Sequence, residues 1–189
     1  MKKKLLGLAI LLLSTGLVTQ ASATVWTGNG HDYKVVVDPH VSWIDAVASQ
    51  NVGSYLATVT SSDEQNFIES LLAGTDGEFW LGGWQSSNEK IADANWKWAI
   101  TGESWVNANS NWAPGEPNDY YGSGSEQYLA MWSNYNWKWN DEGNVNNIRG
   151  YIVETMHACA PAPVPEPATL ILFGAGLFGL AGIRRKRKT

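Results

Sequence analysis

Cysteine is almost missing from this chain of 189 residues. Cys159 stands alone, so no disulfide can form within the molecule. Histidine is also scarce, with three residues, and none lies in 112–141, the stretch richest in closely spaced carboxylates and amides. That excludes zinc and other soft metals there, which take His and Cys ligands. Basic residues are few away from the ends. Eight of the 13 lie in 2–4 and 184–188, five face all 18 acidic residues, and 24–183 carries a net charge of −13. Such a surface repels nucleic acid and attracts cations. Apolar residues are not lacking. At 44% hydrophobic and 16% charged, the chain can bury a core, which excludes disorder. Its length suits one ordinary domain after processing.

What is abundant is tryptophan, with eleven residues. Trp fills cores, and its flat face also stacks on the C–H groups of sugars. The two ends differ from the middle. Lys2, Lys3 and Lys4 precede an apolar run over 5–13 and the small residues Ala21-Ser22-Ala23, the pattern of a secretory signal over 1–23. The mature chain is then expected to begin at Thr24.

The middle, 24–154, alternates short elements. A strand is expected near 33–37, ended by Asp38-Pro39. Ser42 with Asp45 opens a helix whose inner stripe is Trp43, Ala46 and Val47. A strand follows over 55–59. Ser61 and Glu64 then form a capping box for a second helix, with Phe67, Ile68, Leu71 and Leu72 inward and Gly74 at its end. Further strands are expected at 79–83, 95–98, 128–132, 137–139 and 150–154. Between them, 101–125 is mostly loop, and a loop that long needs a function or an anchor.

That loop runs into Glu116-Pro117-Asn118-Asp119, a Gly/Ser turn, Glu126, and then Trp139-Asn140-Asp141. Glu116, Asn118, Glu126, Asn140 and Asp141 all offer oxygen. Oxygen-only donors, two of them neutral amides, suit a hard cation with a large shell, Ca²⁺ before Mg²⁺. Gathered carboxylates also repel one another unless a cation neutralises them.

The tripeptide Glu116-Pro117-Asn118, Glu126 after it and Trp139-Asn140-Asp141 resemble the sugar-binding core of C-type lectin domains. Trp80-Leu81-Gly82-Gly83 is similar to that family's Trp-Ile-Gly-Leu motif. The resemblance covers about 33–154. It implies an α+β, C-type lectin-like double-loop fold, with two helices flanking small antiparallel sheets and a long calcium-binding loop. It makes Glu116, Asn118, Glu126, Asn140 and Asp141 both calcium ligands and sugar contacts, Asp141 also through its backbone carbonyl. It implies a cis peptide before Pro117, where only an X-Pro bond makes that form cheap. Glu-Pro-Asn goes in the family with mannose-, glucose- and fucose-like sugars, so a glycan of the mannose/glucose type is the expected partner. Trp112 and Tyr120 are expected to shape the site. A second calcium, with Asp119, Glu89 and Asp93 as its candidate ligands, is the family's further option. Gln127 stands where an acid is usual there. The family's disulfide positions, matched to Ser49 or Gln50 with Val153 and to Tyr128 with Asn144, carry no cysteine. Aromatic core and calcium binding are the expected substitutes.

After a linker over 155–163, Pro165-Glu166-Pro167 precedes an apolar run over 168–183 and a basic end over 184–188. The run of 16 residues is just short of the roughly 17–25 that a spanning helix uses. The basic end sets its orientation by the positive-inside rule. Tripeptide, run and basic end over 164–189 resemble the PEP-CTERM sorting signal. That implies an exosortase as partner, membrane insertion before processing, and export to the envelope, surface or matrix of a Gram-negative bacterium.

The reading is therefore an exported, calcium-dependent carbohydrate-binding protein and not an enzyme. One alternative is a lectin-fold interaction module that binds protein at the surface or in the matrix. A glycosidase would need a carboxylate pair such as Glu116 and Glu126. A carboxylate held by Ca²⁺ stays ionised and is a poor general acid.

Overall fold

The computed structural model describes residues 22–105 and 110–157. The chain divides into two compact units, 1–156 and 157–189, and the fold that follows belongs to the first. The leader to residue 21, Cys159, Pro165-Glu166-Pro167, the apolar run over 168–183 and the basic end lie outside the described residues. Among the described residues, no helix is long and apolar enough to cross a membrane.

The elements are β1 (Thr24–Val25), β2 (Asp32–Val37), α1 (Trp43–Ala48), β3 (Ser54–Leu56), α2 (Ser62–Leu71), β4 (Glu78–Trp84), β5 (Lys97–Trp98), β6 (Tyr128–Trp132), a 3-10 turn at Ser133–Tyr135, β7 (Lys138–Glu142) and β8 (Ile148–Thr155). Both helices begin at the serines that mark them. Ser42 Oγ accepts the N–H of Asp45, and Ser61 Oγ that of Glu64, each at 3.1 Å. Each cap stabilises its helix by about 1 kcal/mol. Glu64 reaches one residue further back than a capping box requires, accepting the N–H of Thr60 at 2.6 Å and the hydroxyl of Tyr33. The inner stripe of α1 is Trp43 and Ala46, without Val47, which is 37% exposed. A helix of six residues makes under two turns and meets the sheet along one narrow line.

The strands join into one eight-stranded sheet, ordered β1-β2-β8-β4-β6-β7, with β3 beside β8 and β5 beside β4. The small sheets expected are thus hydrogen-bonded together, and one pair, β4 with β8, is parallel. The returning end strand β8 lies between β2 and β4, antiparallel to the first and parallel to the second. The strand expected over 55–59 is paired only to Leu56. Beyond it, Ala57 donates to Ile152 O and accepts from Gly82 N, both at 2.8 Å, as the chain crosses from β8 to β4. A Cβ at Gly82 would stand 2.5 Å from Leu56 O, so this crossing needs glycine.

Alternate residues of each strand face opposite sides of the sheet. Val35, Phe79, Leu81, Leu129, Met131 and Ile152 join a cluster with Ile68 and Leu72 around α2. Val36, Trp80, Ala130, Tyr151 and Val153 join a second with Trp43 and Ala46 of α1. Both faces are covered, which is why the strands read as apolar runs. Tyr128, which the resemblance matches to a family cysteine, stacks on Trp43 (ring centroids 4.8 Å apart) and meets Trp80 edge-on at 6.2 Å. Aromatic packing occupies that place.

Candidate functional site

The site is built on β7. Trp139 is fully buried in the core, and its indole N–H donates to Gln65 Oε1 at 2.9 Å. Its neighbour Asn140 must then face the other way. It lines a cleft of about 190 Å³ with Glu142, its partner two residues on. Asp141 returns to the first side, where its two oxygens accept the N–H groups of Asn118 and Asp119, both at 2.9 Å. So one strand supplies a cleft amide and an anchor for the long loop.

Tryptophan supplies the loop's second anchor. Trp96, Trp98, Trp105, Trp112 and Trp139 pack with ring centroids 5.1–6.2 Å apart. The backbone at Trp112 bridges to Trp139, and Ala113 N donates to Trp139 O at 2.9 Å. Trp112 therefore packs, half-buried, against the core cluster and does not line the cleft, a correction to its expected place. From this anchor the chain enters Glu116-Pro117, whose peptide is cis. Asp119 then closes the Gly/Ser turn. Its Oδ2 accepts Gly124 N at 2.8 Å, and its Oδ1 accepts Ser125 N and Glu126 N, each at 3.1 Å. Glu126 Oε2 accepts the N–H of Tyr120 in return.

Glu116, Asn118, Glu126 and Asn140 all line the cleft, drawn from the loop, the turn and β7. Asp141 lies behind them, fully buried. Tyr120, Tyr121, Trp132, Tyr135, Glu142 and Asn147 complete the lining. Beneath Asn140 is Glu78, fully buried at the start of β4. Its Oε1 accepts the Asn140 amide N–H at 2.8 Å, and its Oε2 has no partner.

This crowding penalises ionisation. Burial, then the charge of Asp141, pushes Glu116 up to about 7. Glu126 rises to about 8, chiefly by burial, with the Tyr120 N–H opposing and Asp141, Glu142 and Glu116 adding. Glu78 rises to about 8 by burial, against its bond from Asn140. Burial also raises Asp141 and Glu142, against backbone N–H groups that favour their charged forms. Glu116 Oε2 is buried with no hydrogen-bond partner. An all-oxygen donor set, mutually repelling and with an orphaned oxygen, fits a hard cation. Among the described residues, no three His, Cys, Asp or Glu side chains form a metal cluster by themselves. The set drawn here also counts two amides.

The residues considered for a second cation are differently placed. Both oxygens of Asp119 hold backbone N–H groups. Glu89 is partly exposed and accepts from Asn95 at 2.6 Å, which lowers its pKa, and Asp93 is exposed. Sequence reasoning placed Tyr120 at the site and missed Glu78, Glu142, Asn147 and the other aromatic residues of the lining, Tyr121, Trp132 and Tyr135. The period of two along β7 pairs Glu142 with Asn140. A lone carboxylate opening the apolar run Glu78-Phe79-Trp80-Leu81 was the signal for Glu78.

A family model described as Lectin C-type domain matches residues 40–152, well over half of the chain, and one described as PEP-CTERM protein-sorting motif matches 163–187. The Perlucin-like protein of Mytilus galloprovincialis is 29% identical over 115 residues, 59% of this chain and 68% of that one. Four further curated relatives are matched over less than half of their own length. Among solved structures, the mouse scavenger receptor C-type lectin carbohydrate-recognition domain superposes with a TM-score of 0.57 at 24% identity, over 71% of this chain and 95% of that one. A calcium-independent type II antifreeze protein superposes with a TM-score of 0.54 at 24% identity, over 76% and 98%. At these identities the superpositions establish the fold.

Proposed function

The chain belongs to the C-type lectin domain family, and from that premise we propose that it binds carbohydrate through Ca²⁺ held by Glu116, Asn118, Glu126, Asn140 and Asp141. The family's members are generally non-catalytic. The observation that carries the reading is the meeting of the first four side chains at one cleft, backed by Asp141. Bound there, Ca²⁺ supplies the neutralising charge and leaves coordination positions for vicinal hydroxyls of a sugar. The chain's own residues do the selecting. Glutamate only accepts hydrogen bonds, whereas an Asn amide nitrogen donates. Glu116 and Asn118 side by side thus ask each diol for a fixed direction of donation. In the family that this motif resembles, Glu-Pro-Asn goes with ligands of the mannose/glucose type, with fucose as a further one, and the proposal takes that class for this chain.

The sorting motif over 163–187 supports export and association with the cell envelope. Processing by an exosortase, with the membrane run over 168–183 as its transient anchor, completes the proposal. A single shallow site binds weakly, and many copies on one surface would act by avidity.

One observation favours a second reading. Both oxygens of Asp141 hold backbone N–H groups, so the loop is anchored by the chain's own bonds. A calcium-independent module that binds protein would retain that anchor. Thermal melting separates the two. Ca²⁺ at ~100 times its dissociation constant stabilises a folded-state site by about 2.7 kcal/mol. A melting temperature indifferent to both Ca²⁺ and EDTA rejects the calcium reading.

A further inference from the structure

Trp132 is the tryptophan that the core does not use. All eleven tryptophans lie in the described residues. Ten belong to one of the two core clusters or pack against one, and Trp132 does neither. It ends β6, half-buried, and lines the cleft. Its ring partner is Tyr135, also half-buried and also in the lining, with centroids 4.8 Å apart and planes at 67°. An indole left partly in water gives up stabilisation that full burial would bring. Core packing therefore does not explain its place.

The turn that carries this pair is braced. Ser133 N–H donates to Gly77 O at 3.1 Å, and Gly77 N–H donates to Ser133 Oγ at 3.0 Å, which ties the turn to the residue before β4. Trp137 N–H returns to Trp132 O at 2.9 Å. Asn136 and Trp137 both take left-handed backbone, with φ of 55° and 61°. Asn tolerates that region, but a bulky residue adopts it at a cost. Trp137 offsets the cost by packing against the core, its ring 6.1 Å from Phe79. Trp132 and Tyr135 thus stand on a fixed hairpin end, and little ordering remains to be done when a ligand meets them.

Strand register says what the pair can reach. Ala130 of β6 stands opposite Asn140 of β7. Trp132, two residues on, faces the same side of the sheet and lies about 7 Å further along the strand. The next unit of a sugar chain held at Asn140 can cover that distance. Aromatic faces stack on the C–H groups of sugar rings. A glucose-type ring, with its ring hydroxyls equatorial, offers such a face on both sides. Asn147, exposed in the same lining, brings an amide that donates to or accepts from those hydroxyls.

We propose that Trp132 and Tyr135 form a second sugar subsite beside the cation position, so that the cleft takes a chain of at least two units with a glucose-type ring on the aromatic pair. The inference rests on the carbohydrate reading of that cleft and narrows its ligand to an oligosaccharide. Neither residue lies in the Glu-Pro-Asn or Trp-Asn-Asp segment.

The test is calorimetric titration of the purified full-length chain in saturating Ca²⁺. Methyl glucoside is compared with the glucose disaccharides maltose, cellobiose, laminaribiose and gentiobiose, which differ in linkage. At least one disaccharide is expected to bind ~3–10-fold more tightly than the monosaccharide, the worth of one aromatic stack. Trp132→Phe keeps an aromatic face and should retain most of that ratio. Trp132→Leu keeps bulk alone and should bring the ratio near unity, with Ca²⁺ affinity unchanged. A wild-type chain that binds methyl glucoside but no disaccharide more tightly would overturn the proposal and leave the calcium reading standing. A ratio in Trp132→Leu equal to wild type would overturn it, since the ring would then not stack. A fall in Ca²⁺ affinity large enough to account for the lost sugar binding would overturn it as well, since Trp132 would then act on the ion site. A wild-type chain that binds neither Ca²⁺ nor any of these sugars would overturn both readings. Should Trp132→Leu not fold, Tyr135→Leu carries the same comparison.

Discussion

Asp119 and Glu126 each hold the backbone of the other's neighbourhood. Asp119 Oδ1 accepts the N–H of Glu126 at 3.1 Å, and Glu126 Oε2 accepts the N–H of Tyr120, the residue after Asp119. The Gly/Ser turn between them is thereby closed on itself. Asp119→Ala would leave the N–H groups of Gly124, Ser125 and Glu126 without their acceptor. It should destabilise the metal-free domain by about 1.5–3 kcal/mol, the worth of a charged hydrogen bond, and weaken Ca²⁺ binding by displacing Glu126. Gln127 stands where the family usually carries an acid, so calorimetry should find one Ca²⁺ per chain. Denaturant melts with no loss in Asp119→Ala would show that its carboxylate is not committed to the turn, and a stoichiometry of two would show that a second site forms without an acid at 127.

The pH dependence of the metal-free protein follows from the raised carboxylates. Glu116 at about 7 and Glu126 and Glu78 at about 8 lie above their ordinary value of 4.5. Their folded forms bind protons more tightly than the unfolded chain does. The stability they contribute is complete below about 4.5 and is lost as the pH rises through 7 to 8. In EDTA, the melting temperature should therefore fall between pH 5 and 8.5. Ca²⁺ needs the deprotonated ligands, so its affinity should rise over the same interval with release of protons. A metal-free melting temperature that climbs through this range would contradict the electrostatic account of the cleft.

Exchanging donor and acceptor should change the sugar. Glu116→Gln combined with Asn118→Asp keeps one negative charge and reverses which side donates. Calcium binding should persist while preference moves from mannose- and glucose-type ligands toward galactose, with Tyr120 in the cleft lining tempering the change. Competition assays on wild type and double variant test this. An unchanged preference would mean that these two side chains do not select the sugar.

Export should remove both ends. Mass spectrometry of the protein recovered from the cell surface should find a chain beginning at Thr24 and lacking 184–188. Retention of that basic end would reject sorting and leave a plain membrane anchor.

Much of this was legible in the sequence where local chemistry dictates the outcome. Ser42 and Ser61 start their helices because a hydroxyl is needed to take an early N–H. The Glu116-Pro117-Asn118 and Trp139-Asn140-Asp141 segments announced three of the cleft residues with Asp141 behind them, and Glu126 after the Gly/Ser turn was a fourth. What escaped depends on which elements become neighbours. Trp112 reads as a site residue beside the motif, yet five tryptophans meet across the sequence and draw it inward. Val47 fits the helical stripe and stays half-exposed because α1 is too short to lay that position on the sheet. Glu78 is a charged residue in a strand that lies mid-sheet, so its burial under Asn140 follows from the strand order β8-β4-β6 and not from its neighbours in the chain.

The most direct test of the central claim is glycan binding measured on an array with saturating Ca²⁺, then with EDTA, then with Ca²⁺ restored. The account predicts binding to mannose/glucose-type glycans in Ca²⁺, its loss in EDTA and its recovery, and no binding by Glu116→Ala under any of the three conditions. Binding that persists in EDTA, or that Glu116→Ala retains, would contradict it.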